Sequence, residues 1–458
     1  MRNLRFCTVR EDRSVKEAMA VTDRSGLQMS FVISREGRLV GCVSDGDIRR
    51  AILKGMDIHL PVSGIMNAQP ISLLQSDRGD SLAAQRTVRR LQSALRGAQV
   101  IPMTDAQGRL VDLLACRDLL PFQVSRSVPT RAVRRILVVG GAGYLGAVLT
   151  RRLLKKGYFV RVLDLLMFGR QSVEELKRAP KFELIVGDVR NIGTTAAALR
   201  GMDAVINLAA LVGDPACSAS PEDAIATNFL ANKALAEACK YHQVNRYLFA
   251  STCSVYGVGK DRLDENAPLH PVSLYARSKI RSEEAVLGLE DANFSPTILR
   301  MATLYGYSPR MRYDLVLNRM TMTAVRDGKI FVHGDGRQWR PLLSVGDAAE
   351  AFTTCVEAPL AKVKGQVFNV GSDKNNVQIR GLADRISSVF QGRVEIVREG
   401  TESDQRNYFV SFRKLERTLQ FRAGYGIETA VRGIRSAIRA NRISDFENPH
   451  YYNVENNR

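Results

Sequence analysis

The sequence predicts an α/β protein whose larger part is a doubly wound parallel sheet, and three observations carry that prediction. Short apolar runs alternate with helix-length segments: RRILVV from Arg134, YFVRVLD from Tyr158, KFELIVGD from Lys181, DAVINLAA from Asp203, NRYLFAS from Asn245 and SPTILR from Ser295. A glycine-rich turn stands between the first of these runs and its helix. Pro221 to Lys240, PEDAIATNFLANKALAEACK, spaces its apolar residues by three and four, as a helix packed on a sheet requires. Strands alternating with helices close into a parallel sheet through right-handed crossovers.

The glycine-rich turn is Gly140-Gly-Ala-Gly143-Tyr144-Leu145-Gly146, running into AVLTRRLLKKG. Gly140 permits the tight turn, Gly143 lets the backbone approach a pyrophosphate, and Gly146 lets helix and strand pack closely. Asp164 ends the second strand, where a carboxylate binds ribose hydroxyls and repels a 2′-phosphate, so NAD is favoured over NADP. Asp188, in Val186-Gly-Asp-Val189 after the third strand, is placed to contact the adenine, or to close an ordinary turn. Asn207-Leu-Ala209-Ala210 ends the fourth strand with small residues, against which a flat ring can lie, or which simply pack the core.

Pro271 to Lys279, PVSLYARSK, predicts a helix with Tyr275 and Lys279 on one face. A free phenol titrates near pKa 10, so a tyrosine base working near neutrality needs roughly 4 kcal/mol of preferential phenolate stabilisation. A neighbouring ammonium and a cationic nicotinamide are the available sources. Tyr256 and Lys260 share the same spacing, yet the two glycines between them argue against a helix there. Upstream, Ser251-Thr252-Cys253-Ser254-Val255-Tyr256-Gly257 sets hydroxyls at the carboxyl edge of the sheet, where ligands bind in such folds. Thr252 is placed to hydrogen-bond a reacting substrate oxygen and Tyr275.

With these elements in order and spacing, residues 135 to about 440 resemble an extended short-chain dehydrogenase/reductase, the family of nucleotide-sugar epimerases and dehydratases. The resemblance implies a Rossmann-type sheet with a small C-terminal substrate-binding lobe, Thr252, Tyr275 and Lys279 as catalytic residues, and a nucleotide-sugar substrate. It implies a cofactor set of Gly140, Gly143, Tyr144, Leu145, Gly146, Asp164, Asp188, Val189, Ala209, Ala210 and Asn228, with Tyr275 and Lys279. On the substrate side it implies Thr252, Thr303, Arg340 and Arg406, the arginines holding a diphosphate through charge-assisted forks. In the 4,6-dehydratases of this family the threonine is followed by Asp-Glu, the proton carriers of water elimination. Here Cys253 and Ser254 stand instead, which favours 4-epimerisation by transient oxidation at C4 over dehydration. A dehydrogenase or ketoreductase shares the first hydride step. Thr303, where many epimerases carry Asn, and the stretch Val212 to Cys217 also depart from the best-known members and leave the sugar open.

Ahead of this unit, SFVISREGRLVGCVSDGDIRRAIL from Ser30 is echoed 71 positions later by TDAQGRLVDLLACRDLL, an internal duplication. Residues 1–122 resemble a pair of cystathionine-beta-synthase-type (CBS) modules of α+β structure. The resemblance implies an adenine nucleotide held by Ser44 and Asp47; the second copy has Ala115 and Asp118 there, so at most one site is expected, and a structural or dimerising pair is the alternative. Residues 123–134, with Pro129 and no periodicity, read as a linker to a domain spanning 135–458.

Composition fits this reading. A content of 45% hydrophobic and 25% charged residues is that of an ordinary globular chain, which excludes a disordered one. Seven cysteines without a CxxC pair argue against a disulfide framework and a metal site and for a reducing cytoplasm. The net charge of +19 rests on arginines that are dispersed, not clustered, favouring an anionic small molecule over nucleic acid. No run reaches the roughly 20 apolar residues of a membrane span, so no membrane partner or export is expected. Both resembled families commonly dimerise, implying a homodimer or higher oligomer.

Overall fold

The computed structural model describes residues 4–25, 27, 29–76, 100–115, 132–400 and 407–453. The chain divides into two compact units, Met1–Arg126 and Ser127–Arg458.

In the first unit, β1 (Thr8–Arg10) pairs in parallel with β2 (Met29–Ile33), which pairs antiparallel with β3 (Leu39–Ser44). The second copy repeats the plan: β4 (Leu73–Leu74) runs parallel to β5 (Val100–Thr104), and β5 antiparallel to β6 (Leu110–Ala115). The duplication extends to register. Met29 faces Ser44 as Val100 faces Ala115, Ile33 faces Leu39 as Thr104 faces Leu110, and both pairs shift register at the same place. The two turns bond reciprocally, Leu39 N to Gly108 O at 2.9 Å and Leu110 N to Gly37 O at 3.1 Å. Cys7, Met29, Phe31 and Cys42 share one apolar cluster with Val100 and Leu113 of the second copy. Neither three-stranded sheet buries both faces alone, and each supplies the other with a core.

The second unit is built on a seven-stranded parallel sheet: β7 (Arg135–Val139), β8 (Phe159–Asp164), β9 (Phe182–Val186), β10 (Ala204–Asn207), β11 (Arg246–Thr252), β13 (Ser295–Met301) and β17 (Gln366–Val370). The spatial order is β17-β13-β11-β10-β7-β8-β9. All six apolar runs read from the sequence are strands of this sheet, and QVFNV adds a seventh at its edge. From β7 the chain winds outward to β9, then crosses back to lay β10 on the other side of β7. This switch leaves a crevice beyond the carboxyl ends of β7 and β10, where open α/β sheets bind ligands. Smaller pairings form the C-terminal lobe: β14 (Thr303–Tyr305), β16 (Trp339–Ser344) and β18 (Asn376–Gln378) in one sheet, β12 (Val258–Leu263) with β20 (Asn407–Val410), and β15 (Lys329–His333) with β19 (Glu395–Glu399).

Steric room at the switch point explains the glycines. Gly140 has φ +79°, and a Cβ there would lie 2.8 Å from the Ala209 amide nitrogen across the crevice. A Cβ on Gly146, in the helix Tyr144–Lys155, would lie 2.2 Å from the Gly140 carbonyl oxygen. The stretch Pro221–Tyr241 is helical as its spacing predicts, with one difference: Ala226–Ala231 forms a π-turn between two α-helical segments. The extra residue presents Asn228 to the neighbouring loop.

Replacing Gly146 by Ala sets a side chain against backbone that cannot move away, so Gly146→Ala lowers unfolding free energy by about 2 kcal/mol or more. Urea titration followed by circular dichroism measures it; a midpoint equal to wild type would contradict the packing described.

Candidate active site

Beyond the carboxyl ends of β7, β8, β10, β11 and β13 lies a cleft of about 930 Å³. Gly140, Gly143, Tyr144, Leu145 and Gly146 line its floor, where the N-terminus of the helix Tyr144–Lys155 directs unpaired amides into it. Asp164 lines the next wall and accepts from Leu166 N and Ala142 N, both at 2.8 Å. Burial raises its carboxyl above the ordinary range, opposed by those two amides. Asp188 and Val189 border the same end; Asp188 is ion-paired with Arg190, which holds its carboxyl below the ordinary range.

The opposite wall is Leu208 to Gly213, including Ala209 and Ala210. The Ala209 amide donates to Asn207 Oδ1 at 3.1 Å. Asn228 pins this segment from behind: its Oδ1 accepts from Leu211 N at 2.8 Å and its Nδ2 donates to Leu211 O at 3.0 Å. Nδ2 also lies 3.3 Å from Ser278 Oγ, on the helix that carries Tyr275. The π-turn gives Asn228 this reach.

Thr252, Ser254, Tyr275 and Lys279 meet at the centre of the cleft. Ser273 caps the helix Leu274–Leu287, its hydroxyl accepting from Ala276 N at 3.2 Å, and the helix holds Tyr275 and Lys279 one turn apart. The Thr252 hydroxyl lines the cleft with the Tyr275 phenol and lies 3.1 Å from Ser254 Oγ. Burial raises the phenol above its ordinary value, with Cys217 adding to the effect and Arg312 and Thr252 opposing it. Lys279 Nζ donates to Ala250 O at 2.8 Å and sits 5.8 Å from the centre of the Tyr275 ring. Burial pushes this amine down to about 8, against the pull of Cys217 and Glu283. The chain by itself therefore does not make Tyr275 basic.

Behind Lys279, on the next turn, Glu283 forms a buried ion pair with Arg300 of β13 and accepts from the Ser251 hydroxyl. Arg300 Nη1 also donates to the Tyr256 hydroxyl at 3.0 Å. This pair fixes the Tyr275–Lys279 helix to β11 and β13.

A glycine cradle at a helix N-terminus, a carboxylate on the second strand and a tyrosine-lysine pair facing them fit a nicotinamide dinucleotide. The model of the NAD dependent epimerase/dehydratase family matches residues 136–371, and that of the CBS domain matches residues 3–54. The chain belongs to the NAD dependent epimerase/dehydratase family. NAD is its cofactor. Among relatives, it is 29% identical over 246 residues to an uncharacterized UDP-glucose epimerase, YtcB, of Bacillus subtilis, spanning 52% of this chain and 76% of that one. It is 31% identical over 250 residues to the human sterol-4-alpha-carboxylate 3-dehydrogenase, decarboxylating, spanning 53% and 63% respectively. Its fold matches UDP-glucuronic acid 4-epimerase from Bacillus cereus, solved with UDP-glucuronic acid and NAD, at a TM-score of 0.60 and 23% identity over 67% of this chain and 99% of that one.

Several side chains the sequence singled out lie elsewhere. Arg340 does not line the cleft; in β16 it is buried, donates to Trp339 O at 2.8 Å and sits 5.8 Å from the centre of the Tyr408 ring. Arg406, Asp118 and Cys116 fall outside the described residues. Asn228 is absent from the lining and acts through Leu211, and the phenol of Tyr144 is turned away to donate to Gly306 O at 2.6 Å. Thr303 does line the cleft. In the first unit, Ser44 and Asp47 form a capping box on the helix Asp45–Leu53: Asp47 N donates to Ser44 Oγ at 3.2 Å, and Ser44 N to Asp47 Oδ2 at 2.9 Å.

Among the cleft residues that escaped the sequence reading, three are polar groups from the C-terminal half. Arg310 and Arg312 come from the loop after β14, and Asn453 from the C-terminal segment. The only signal was SPRMRYD, two arginines just past a strand end. No group of His, Cys, Asp and Glu able to hold a metal ion occurs among the described residues, and no described helix is long and apolar enough to cross a membrane.

Losing one partner of a buried pair leaves an uncompensated charge, so Glu283→Gln costs about 3 kcal/mol of stability. Denaturant unfolding of the holoprotein reads this directly, and a change below about 1 kcal/mol would mean that Arg300 finds other support.

Proposed function

We propose that the chain is an NAD-dependent nucleotide-sugar 4-epimerase, Tyr275 exchanging a proton with the C4 hydroxyl while Thr252 holds that oxygen and Lys279 supplies a charge beside the phenol. Bound NAD would supply the hydride acceptor and donor for C4. The observation that carries this reading is the pair after Thr252. Cys253 is buried with Sγ 3.3 Å from Arg300 O, and Ser254 faces the cleft bonded to Thr252. Neither is a carboxylate able to move a proton at C5 or C6, so a 4-keto sugar formed here has no route to water loss. Return of hydride and proton at C4 is the remaining closed cycle.

Arg312 in the cleft, with Arg310 beside it, makes the lining basic, which favours an anionic substrate such as a sugar nucleotide. Asp164 favours NAD over NADP by charge and by hydrogen bonding to a ribose diol. Burial disfavours the Tyr275 phenolate, and the positive charge of an oxidised nicotinamide, with that of Lys279, would act against it. The N-terminal pair is proposed to regulate through an adenine nucleotide at Ser44 and Asp47, which must replace their mutual cap at a cost of about 1 kcal/mol.

The test is incubation of purified protein with a panel of UDP-, GDP-, CDP- and dTDP-sugars, products being read by NMR and absorbance followed at 340 nm. The reading predicts a C4 epimer with no net NADH; steady NADH accumulation, or a product lighter by one water, would overturn it. Tyr275→Phe abolishes turnover while NAD stays bound. Lys279 carries its proton below about 8 and loses it as pH rises through that value, so kcat/KM falls on the basic side. Lys279→Arg keeps the charge and moves that limb to higher pH; an unmoved limb would exclude Lys279 as its source.

A further inference from the structure

Arg310 is a buried cation without an anion. It is 4% exposed, and among the described residues no carboxylate lies within ion-pair distance of it. Its Nη2 donates to Asn453 Oδ1 at 2.7 Å and reaches Tyr452 O at 3.3 Å, while Nε is buried with no partner. Its guanidinium lies 3.7 Å from the centre of the Phe168 ring. Burial and the neighbouring Arg312 push it down to about 9. A guanidinium kept in this position with a free donor calls for a missing counter-charge. Two other buried arginines of this unit are compensated: Arg300 has Glu283, and Arg246 donates to the carbonyls of Cys355, Val356 and Ala358 at a helix C-terminus.

The surroundings say which anion. Arg310 lines the cleft together with Tyr144, the first residue of the helix after the glycine-rich turn, and Asp164, at the end of β8; Asp314, Tyr144 and Asp164 work against the burial of its charge. Two residues before it, Ser308 donates to Tyr144 O at 2.7 Å and ties the loop to that helix end. Between a helix N-terminus and a ribose-binding carboxylate lies the place of a dinucleotide pyrophosphate. We infer that Arg310 is a cofactor-binding residue that closes over the NAD pyrophosphate from the side opposite the glycine-rich turn, with Asn453 of the C-terminal segment as its positioning residue. Asn453 is fitted for this: its Oδ1 holds the guanidinium, and its Nδ2 lies 3.4 Å from Val212 O on the far wall of the cleft. The Phe168 face blocks the remaining side. The inference concerns the cofactor and stands whatever the outcome at the sugar.

Binding to Arg310→Met, Arg310→Lys, Asn453→Leu and wild type, stripped of nucleotide, is measured by calorimetry with NAD, ADP-ribose, adenosine and UDP. Removing the guanidinium weakens NAD and ADP-ribose by roughly 10- to 100-fold, leaves adenosine and UDP within about twofold, and Arg310→Lys recovers part of the loss. Asn453→Leu, which keeps the charge but not its anchor, weakens NAD less than Arg310→Met does. Circular dichroism of each variant establishes that it is folded; if Arg310→Met does not fold, Arg310→Lys and Asn453→Leu carry the test. Unchanged NAD affinity in folded variants overturns the assignment. So does a loss confined to UDP, which would place the guanidinium on the substrate's diphosphate instead.

Discussion

Backbone meets backbone at Gly140 and Ala209, and the geometry of the catalytic unit follows from that approach. Where β7 and β10 part company the sheet leaves a crevice, and its two lips close to within 3 Å of any atom added to Gly140. A side chain on the turn would fill the space a pyrophosphate needs. From this point each neighbouring strand end contributes one function: Asp164 from β8, the small-residue wall from β10, Thr252 from β11 and Thr303 just beyond β13. Because the strands are hydrogen-bonded in register, these groups are as fixed relative to one another as the sheet itself. The helix Leu274–Leu287 supplies the tyrosine and lysine from outside the sheet, and the buried Glu283–Arg300 pair keeps it there.

Buried charge is the second organising feature, and the unit handles it in different ways. Arg300 is neutralised by a carboxylate and Arg246 by the carbonyl end of a helix, arrangements that serve stability. Lys279 has only a carbonyl at hydrogen-bond distance and a depressed pKa, and Arg310 has an unfilled donor. The groups left uncompensated by the protein face the cleft. On the proposed reading, the pyrophosphate of a bound dinucleotide supplies the anion that Arg310 lacks, and the cationic ring adds a positive charge beside Tyr275.

Much of this was legible in the sequence because it is local. Six apolar runs became six adjacent strands, GGAGYLG announced its own strand and helix, and the Tyr275–Lys279 spacing needs only one helical turn. What escaped is set by contacts distant in sequence. QVFNV is short and follows a long helical stretch, so nothing nearby marks it as the seventh strand. Apolar spacing of three and four persists on both sides of a π-turn, so the insertion at Asn228 leaves no trace in the pattern. Arg340 sat in a familiar-looking segment, but strand pairing on both sides of β16 and the ring of Tyr408 keep it from the cleft. Arg310 was one arginine among many until the chain's last described residue, Asn453, was found holding it.

The fate of the hydrogen at C4 decides whether the hydride leaves and returns to one carbon. With a sugar nucleotide deuterated at C4 as substrate, the account predicts that the C4 epimer retains its deuterium at C4, none passing to solvent and none left on the nicotinamide, as followed by NMR and mass spectrometry. Product without the label at C4, or label accumulating in reduced cofactor, would contradict it.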